Sequence, residues 1–143
     1  MGRTMIKDDG LGLLLNGSHE GPRIKVAIDA MGGDFGPPET VKGAVQAARS
    51  VHAEVILVGD EGPVSEELSK YAISGLPITV VPPEGKIGDD EHPVRALRSK
   101  PNASVIVATQ LVKKGVADAI VSTGSTGGAM ASSVLALGLM DGL

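Results

Sequence analysis

The residues best suited to chemistry lie in three short segments. The richest is Ser122-Thr123-Gly124-Ser125-Thr126-Gly127-Gly128, where four hydroxyls and three glycines adjoin one another. Glycines let a backbone approach a ligand closely, and free N–H groups where a helix begins favour an anion. The segment has no lysine, so it is not the lysine-bearing nucleotide loop. Its composition points to the binding of an anion or a carbonyl oxygen, and it also suits a flexible polar turn. The second segment is Asp29-Ala30-Met31-Gly32-Gly33-Asp34. Two carboxylates and a glycine pair at a strand end suit a polar partner, such as a loop amide or a cation, or a structural turn with a capping aspartate. The third is Gly88-Asp89-Asp90-Glu91-His92-Pro93, followed by Arg95, Arg98 and Lys100. Consecutive acids with one histidine lack the spacing of a metal site. Acids followed by proline are better read as opening a helix. The three basic residues suit a solvated helix face, or a phosphate or acidic partner, since arginine grips phosphate in a bidentate fashion.

The elements that must position these segments alternate between strand and helix. Ile24 to Asp29 is a β-branched run ending in a carboxylate and reads as a buried strand. Pro37-Pro38 opens a helix with Val41, Ala44, Val45 and Ala48 at helical spacing. Strands are expected at Glu54 to Val58, Ile78 to Val81 and Ala119 to Val121, with a helix from Val64 to Ala72 between the first two of these. A short helix is expected from Pro93. A longer one runs from Ala103 to Lys114, with Asn102 as its N-cap and Gly115 as its C-cap. The last helix, from Gly128 to Leu139, is apolar and is expected to be buried. Ala129 to Met140 is too short to span a bilayer. Such alternation implies a parallel sheet with right-handed crossovers. Ligands of such sheets bind at the carboxyl ends of the strands, and all three segments fall there.

Composition narrows the function. The chain has 143 residues, 42% of them apolar, enough for one domain with a core. Phe35 and Tyr71 are the only aromatics, so the core must be aliphatic. A net charge of −4 with dispersed signs argues against nucleic acid as a partner, and two aromatics leave little for base stacking. There is no cysteine, hence no thiolate metal site and no cysteine nucleophile, which fits a cytoplasmic location. Residues 1–22, glycine-rich and ending in Gly21-Pro22, read as a loosely ordered leader without export features. Residues 23–143 form the α/β portion.

Taken in order, these motifs resemble a family. Asp29 to Asp34 after the first strand is similar to the N-terminal signature of the phosphate acyltransferases that act on acyl carrier protein. Val58-Gly59-Asp60 resembles their second strand end. Asp89-Asp90, Pro93, Ala96-Leu97-Arg98 and Lys100 resemble the next block, and Ser122 to Gly128 their strand-to-helix turn. The resemblance runs from Ile24 to Leu139. It departs at Ser125, where the family usually has asparagine, and at Gly128, where it has alanine.

The resemblance implies an incomplete doubly wound parallel α/β sheet of the isopropylmalate dehydrogenase and phosphotransacetylase kind, the N-terminal half of such an enzyme. It implies acyl transfer from acyl carrier protein to inorganic phosphate for phospholipid synthesis, by a homodimer, with no cofactor and with possible peripheral membrane association. Under it, Ser122, Thr123, Gly124, Ser125, Thr126, Gly127 and Gly128 hold phosphate or the thioester carbonyl. Asp29, Gly32, Gly33 and Asp34 form an adjacent wall, and Arg95, Arg98 and Lys100 supply positive charge. His92 is a weak candidate for a base. Two rival readings stand beside it: a coenzyme A-dependent phosphate acetyl- or butyryltransferase, and a truncated chain that folds and binds without turnover.

Overall fold

The computed structural model describes residues 21–83 and 103–142. Arg95, Arg98, Lys100, His92, the acidic run and the short helix expected from Pro93 lie outside the described residues, as does most of the proposed leader.

Four strands form one parallel sheet: β1 (Ile24–Asp29), β2 (Ala53–Val58), β3 (Ile78–Val81) and β4 (Ala119–Ser122). Between and after them run α1 (Gly36–Ser50), α2 (Glu61–Ser69), α3 (Ser104–Lys113) and α4 (Thr126–Leu137). The spatial order is β3-β2-β1-β4. The chain therefore winds outward from β1 through β2 to β3, then returns to place β4 on the other side of β1.

Helices cover both faces. Along β2, Val55 and Leu57 pack with Val41, Val45, Val64 and Leu68 from α1 and α2. The alternate residues Ile56 and Val58 pack with Ala108 of α3. Successive side chains of a strand point to opposite faces, so α1 and α2 lie on one face and α3 on the other. Strands buried on both sides are continuously apolar, as Val55-Ile56-Leu57-Val58 is. This is the layering of a doubly wound α/β fold.

Helix ends differ from the sequence reading in instructive ways. Pro37 and Pro38 do lie in the first turn of α1. α2 starts three residues before Val64, because Pro63 in a first turn sacrifices no intrahelical hydrogen bond. The N-cap of α3 is Ala103, which makes no side-chain cap bond; Asn102, expected in that role, lies outside the described residues. Gly115 does end that helix, at φ +69°, just past the C-cap Lys114.

The expectation of a buried last helix is corrected. α4 buries only Gly128 and Ser132. Ser132 Oγ accepts a bond from Thr109 Oγ1 at 3.3 Å, so α4 turns its small-residue side to α3. Met130, on the other side of the helix, is consequently 68% exposed, and Leu135 is 67% exposed at an open groove between α3 and α4.

Candidate functional site

In an open sheet, the point where strand order reverses leaves a crevice at the carboxyl ends, because the two flanking loops lead to opposite faces. Here that point lies between β1 and β4. Asp29 and Ser122, the last residues of these strands, are register partners. Asp29 shares its strand side with Ala27, which packs toward α3. Both side chains therefore meet under the N-terminus of α3.

The Ser122 hydroxyl donates to Asp29 Oδ2 at 2.8 Å. With its proton so committed, Ser122 Oγ accepts from the Gly124 N–H at 3.2 Å. Asp29 Oδ1 accepts from the Met31 N–H at 3.3 Å. Asp29 is 3% exposed, and among the described residues no lysine or arginine pairs with it. What faces its charge are the N-termini of α3 and α4, each with first-turn N–H groups that no carbonyl of the helix itself can take.

The two loops touch through glycine. A Cβ on Gly32 would lie 2.7 Å from Asp29 Oδ2 and 2.7 Å from Gly124 N, so only hydrogen fits there. Gly33 has φ +81°, a left-handed conformation natural to glycine, and its own Cβ would lie 2.9 Å from Thr123 Oγ1. Thr123 Oγ1 donates to Gly32 O at 3.2 Å and ties the loops together.

The turn after β4 is shorter than the sequence suggested. Ser125 is the N-cap of α4, and its Oγ accepts from the Gly128 N–H at 3.3 Å. Thr126, Gly127 and Gly128 are already the first helical turn. The Gly124 and Gly128 amides are thus taken internally. The donors this turn leaves to a ligand are the Ser125 and Thr126 hydroxyls and the amides at the start of α4.

These residues line a narrow crevice with Asp29, Gly32, Ser122 and Gly124 at one side and Ser125 and Gly128 at the other. Ser104 and Val105 of α3 complete it, and sequence reasoning missed both. The signal was available only through topology: α3 enters at a strand end. Ser104 is 1% exposed. Gly33, Asp34 and Thr123 instead line a neighbouring hollow beside Phe35, where Asp34 is exposed. The structure thus brings Asp29 and Gly32 to the Ser122–Gly128 segment and sets Asp34 apart from Asp29. No cluster of metal-binding side chains occurs among the described residues. No described helix is long and apolar enough to cross a membrane.

Comparison with known proteins places this site in context. Residues 24–143 match the family model described as fatty acid synthesis protein. Curated relatives include the phosphate acyltransferase of Desulforamulus reducens, 51% identical over 84% of this chain and 36% of the relative. That of Pelotomaculum thermopropionicum is 49% identical over 84% of this chain and 35% of its own length. That of Acaryochloris marina is 46% identical over 85% and 35%. The chain spans about a third of the curated relatives it matches, rather than the half that the resemblance implied.

Proposed function

The chain belongs to the fatty acid synthesis protein family, and from that premise we propose that it supplies part of a site transferring an acyl group from acyl carrier protein to inorganic phosphate. The product is an acyl phosphate for phospholipid synthesis. The observation that supports this most is the pairing of Asp29 with Ser122 at the switch point, which sets the start of α4 over the crevice. The printed name of the relatives, phosphate acyltransferase, supplies the reaction class.

On this reading phosphate sits on the first turn of α4, held by the Ser125 hydroxyl and the Thr126 and Gly127 amides. Gly32, Gly33 and Asp34 wall the approach of the thioester, and Arg95 and Arg98 bring positive charge. A phosphate oxygen attacks the thioester carbonyl carbon. The new C–O bond forms as the C–S bond breaks, and the sulfur leaves to become a thiol. Hydrogenphosphate itself carries the proton that the thiol requires, so no protein nucleophile is needed. The chain's work is orientation and charge stabilisation. Acyl carrier protein as donor, a homodimeric assembly, and a cytoplasmic enzyme that meets the membrane peripherally belong to the same reading.

The test is Thr126→Pro. Thr126 is the first helical residue, where proline is well tolerated, and Ser125 at φ −56°, ψ 122° already has the backbone that a following proline demands. The substitution removes two donors, the Thr126 amide and its hydroxyl, and leaves the helix. Phosphate titrated into the isotopically labelled chain should bind several-fold more weakly in the variant at unchanged melting temperature. Equal binding by T126P and the parent sinks the assignment of phosphate to this turn. Hydroxylamine trapping of acyl phosphate, with carrier-protein and coenzyme A thioesters side by side, tests the donor.

A further inference from the structure

We propose that Asp29 makes this site selective for a tetrahedral anion bearing an O–H, hydrogenphosphate, over one with none, such as sulfate. The inference rests on the reading of the α4 turn as the phosphate site, and adds to it the group that discriminates.

The Asp29–Ser122 side of the crevice floor offers only acceptors, and Ser104 with the start of α3 forms the remaining wall. Asp29 is buried and its carboxylate oxygens have about four lone-pair sites between them. Two are used, by the Ser122 hydroxyl at 2.8 Å and the Met31 amide at 3.3 Å. Ser122 cannot turn its proton outward while it donates to Asp29, and its oxygen already accepts from Gly124. The Thr123 hydroxyl is spent on Gly32 O. A group that meets Asp29 must therefore bring a hydrogen.

The rim offers donors instead: the Ser125 hydroxyl and the first-turn amides of α4. Access to the carboxylate is kept open by Gly32, whose Cβ would lie 2.7 Å from Asp29 Oδ2. The crevice has room for about one water-sized group, so one oxygen of an anion enters while the others stay at the rim. Hydrogenphosphate satisfies both ends, donating its O–H to Asp29 and accepting from the rim. Sulfate would press an unprotonated oxygen against a buried carboxylate. A site that hydrogen-bonds a ligand hydroxyl penalises the analogue lacking it, because its own buried group is left unpaired.

The experiment uses the 143-residue chain and three dianions in mildly alkaline buffer: phosphate, sulfate and fluorophosphate, the last close to phosphate in shape but without the O–H. Binding is followed by amide shifts of Gly124, Thr126 and Gly127. Phosphate should bind at least about 10-fold more tightly than either analogue, the scale of one hydrogen bond to a charged group. In Asp29→Asn the ratio should fall towards one, since the carboxamide can donate to an unprotonated oxygen. The lost charge favours all three dianions alike, so it cancels in the ratio, and a purely structural role for Asp29 leaves the ratio unmoved. Should D29N fail to fold, the unsubstituted chain still decides through fluorophosphate. Equal binding of fluorophosphate and phosphate, or an unchanged ratio in folded D29N, overturns the selectivity and leaves the phosphate turn standing. Absence of binding by all three dianions overturns the turn assignment and the selectivity with it.

Discussion

Gly32→Ala is the sharpest test of the contact between the two loops. Gly32 does not have a positive φ, so alanine meets no backbone penalty there, and the cost comes from contact alone. The added methyl would sit 2.7 Å from Gly124 N and 3.0 Å from Gly124 Cα, and 2.7 Å from Asp29 Oδ2. The first two are backbone atoms and cannot rotate away. The third is held by the Ser122 hydroxyl. Relief therefore requires the loops to part. Forcing a methyl into filled space typically costs about 1–3 kcal/mol. For a domain of this size that is roughly 4 °C of melting temperature per kcal/mol, so the melting point should fall by about 4–12 °C. Gly43→Ala is the matched control. Gly43 lies within α1 with nothing within 4 Å of its added Cβ, and alanine there should stabilise by about 0.5–1 kcal/mol. Thermal unfolding followed by circular dichroism, with urea midpoints alongside, measures both. A G32A chain as stable as the parent, with G43A behaving as expected, refutes the claim that the loops are in glycine-limited contact.

Three further substitutions probe the rest of the frame. Leu57→Ala removes a fully buried side chain from the centre of β2 and should cost about 2–5 kcal/mol, read from the urea midpoint at constant slope. Ser125→Ala removes the acceptor for the Gly128 N–H and should cost about 1 kcal/mol, with faster hydrogen exchange at Gly128 as its local signature. Met130→Lys falls on the side of α4 opposite the buried Ser132, where Met130 is 68% exposed, and should change stability by less than about 0.5 kcal/mol. A large loss there would show that something covers this face.

Local pattern was enough to find most elements. Val41, Ala44, Val45 and Ala48, chosen by helical spacing alone, are all buried in α1. Ile24 to Asp29 and Ile78 to Val81 begin and end as their β-branched runs suggested. The helix starts were less legible. Thr126-Gly127 has poor helix propensity and reads as loop ahead of a helix expected from Gly128, yet Ser125 caps the helix and Gly128 is buried at the crevice, so tertiary contact overrides propensity. The last helix misled in the opposite sense. Its apolar residues suggested burial all round, but a Ser132–Thr109 contact fixes which side faces α3, and hydropathy carries no such direction. The Ser122–Asp29 bond spans 93 positions, and nothing local encodes it. It follows only once β4 is known to lie beside β1 rather than β3.

That placement also determines what the crevice can bind unaided. Two helix N-termini and the hydroxyls of Ser104 and Ser125 supply its donors, and Asp29 supplies a buried negative charge at its floor. Each helix end carries only about half a unit of positive charge. Together they roughly balance the carboxylate and leave little surplus for a dianion. Phosphate bound here must therefore meet Asp29 through a shared hydrogen, draw on cations such as the proposed Arg95 and Arg98, or do both. The two contributions separate by ionic strength. Attraction between exposed charges is screened by salt over about 10 Å at 0.1 M, whereas a hydrogen bond to a buried carboxylate is not. Raising salt should therefore weaken phosphate and fluorophosphate together and leave their ratio in place. A ratio that collapses with salt would move the discrimination away from Asp29 and onto exposed charge.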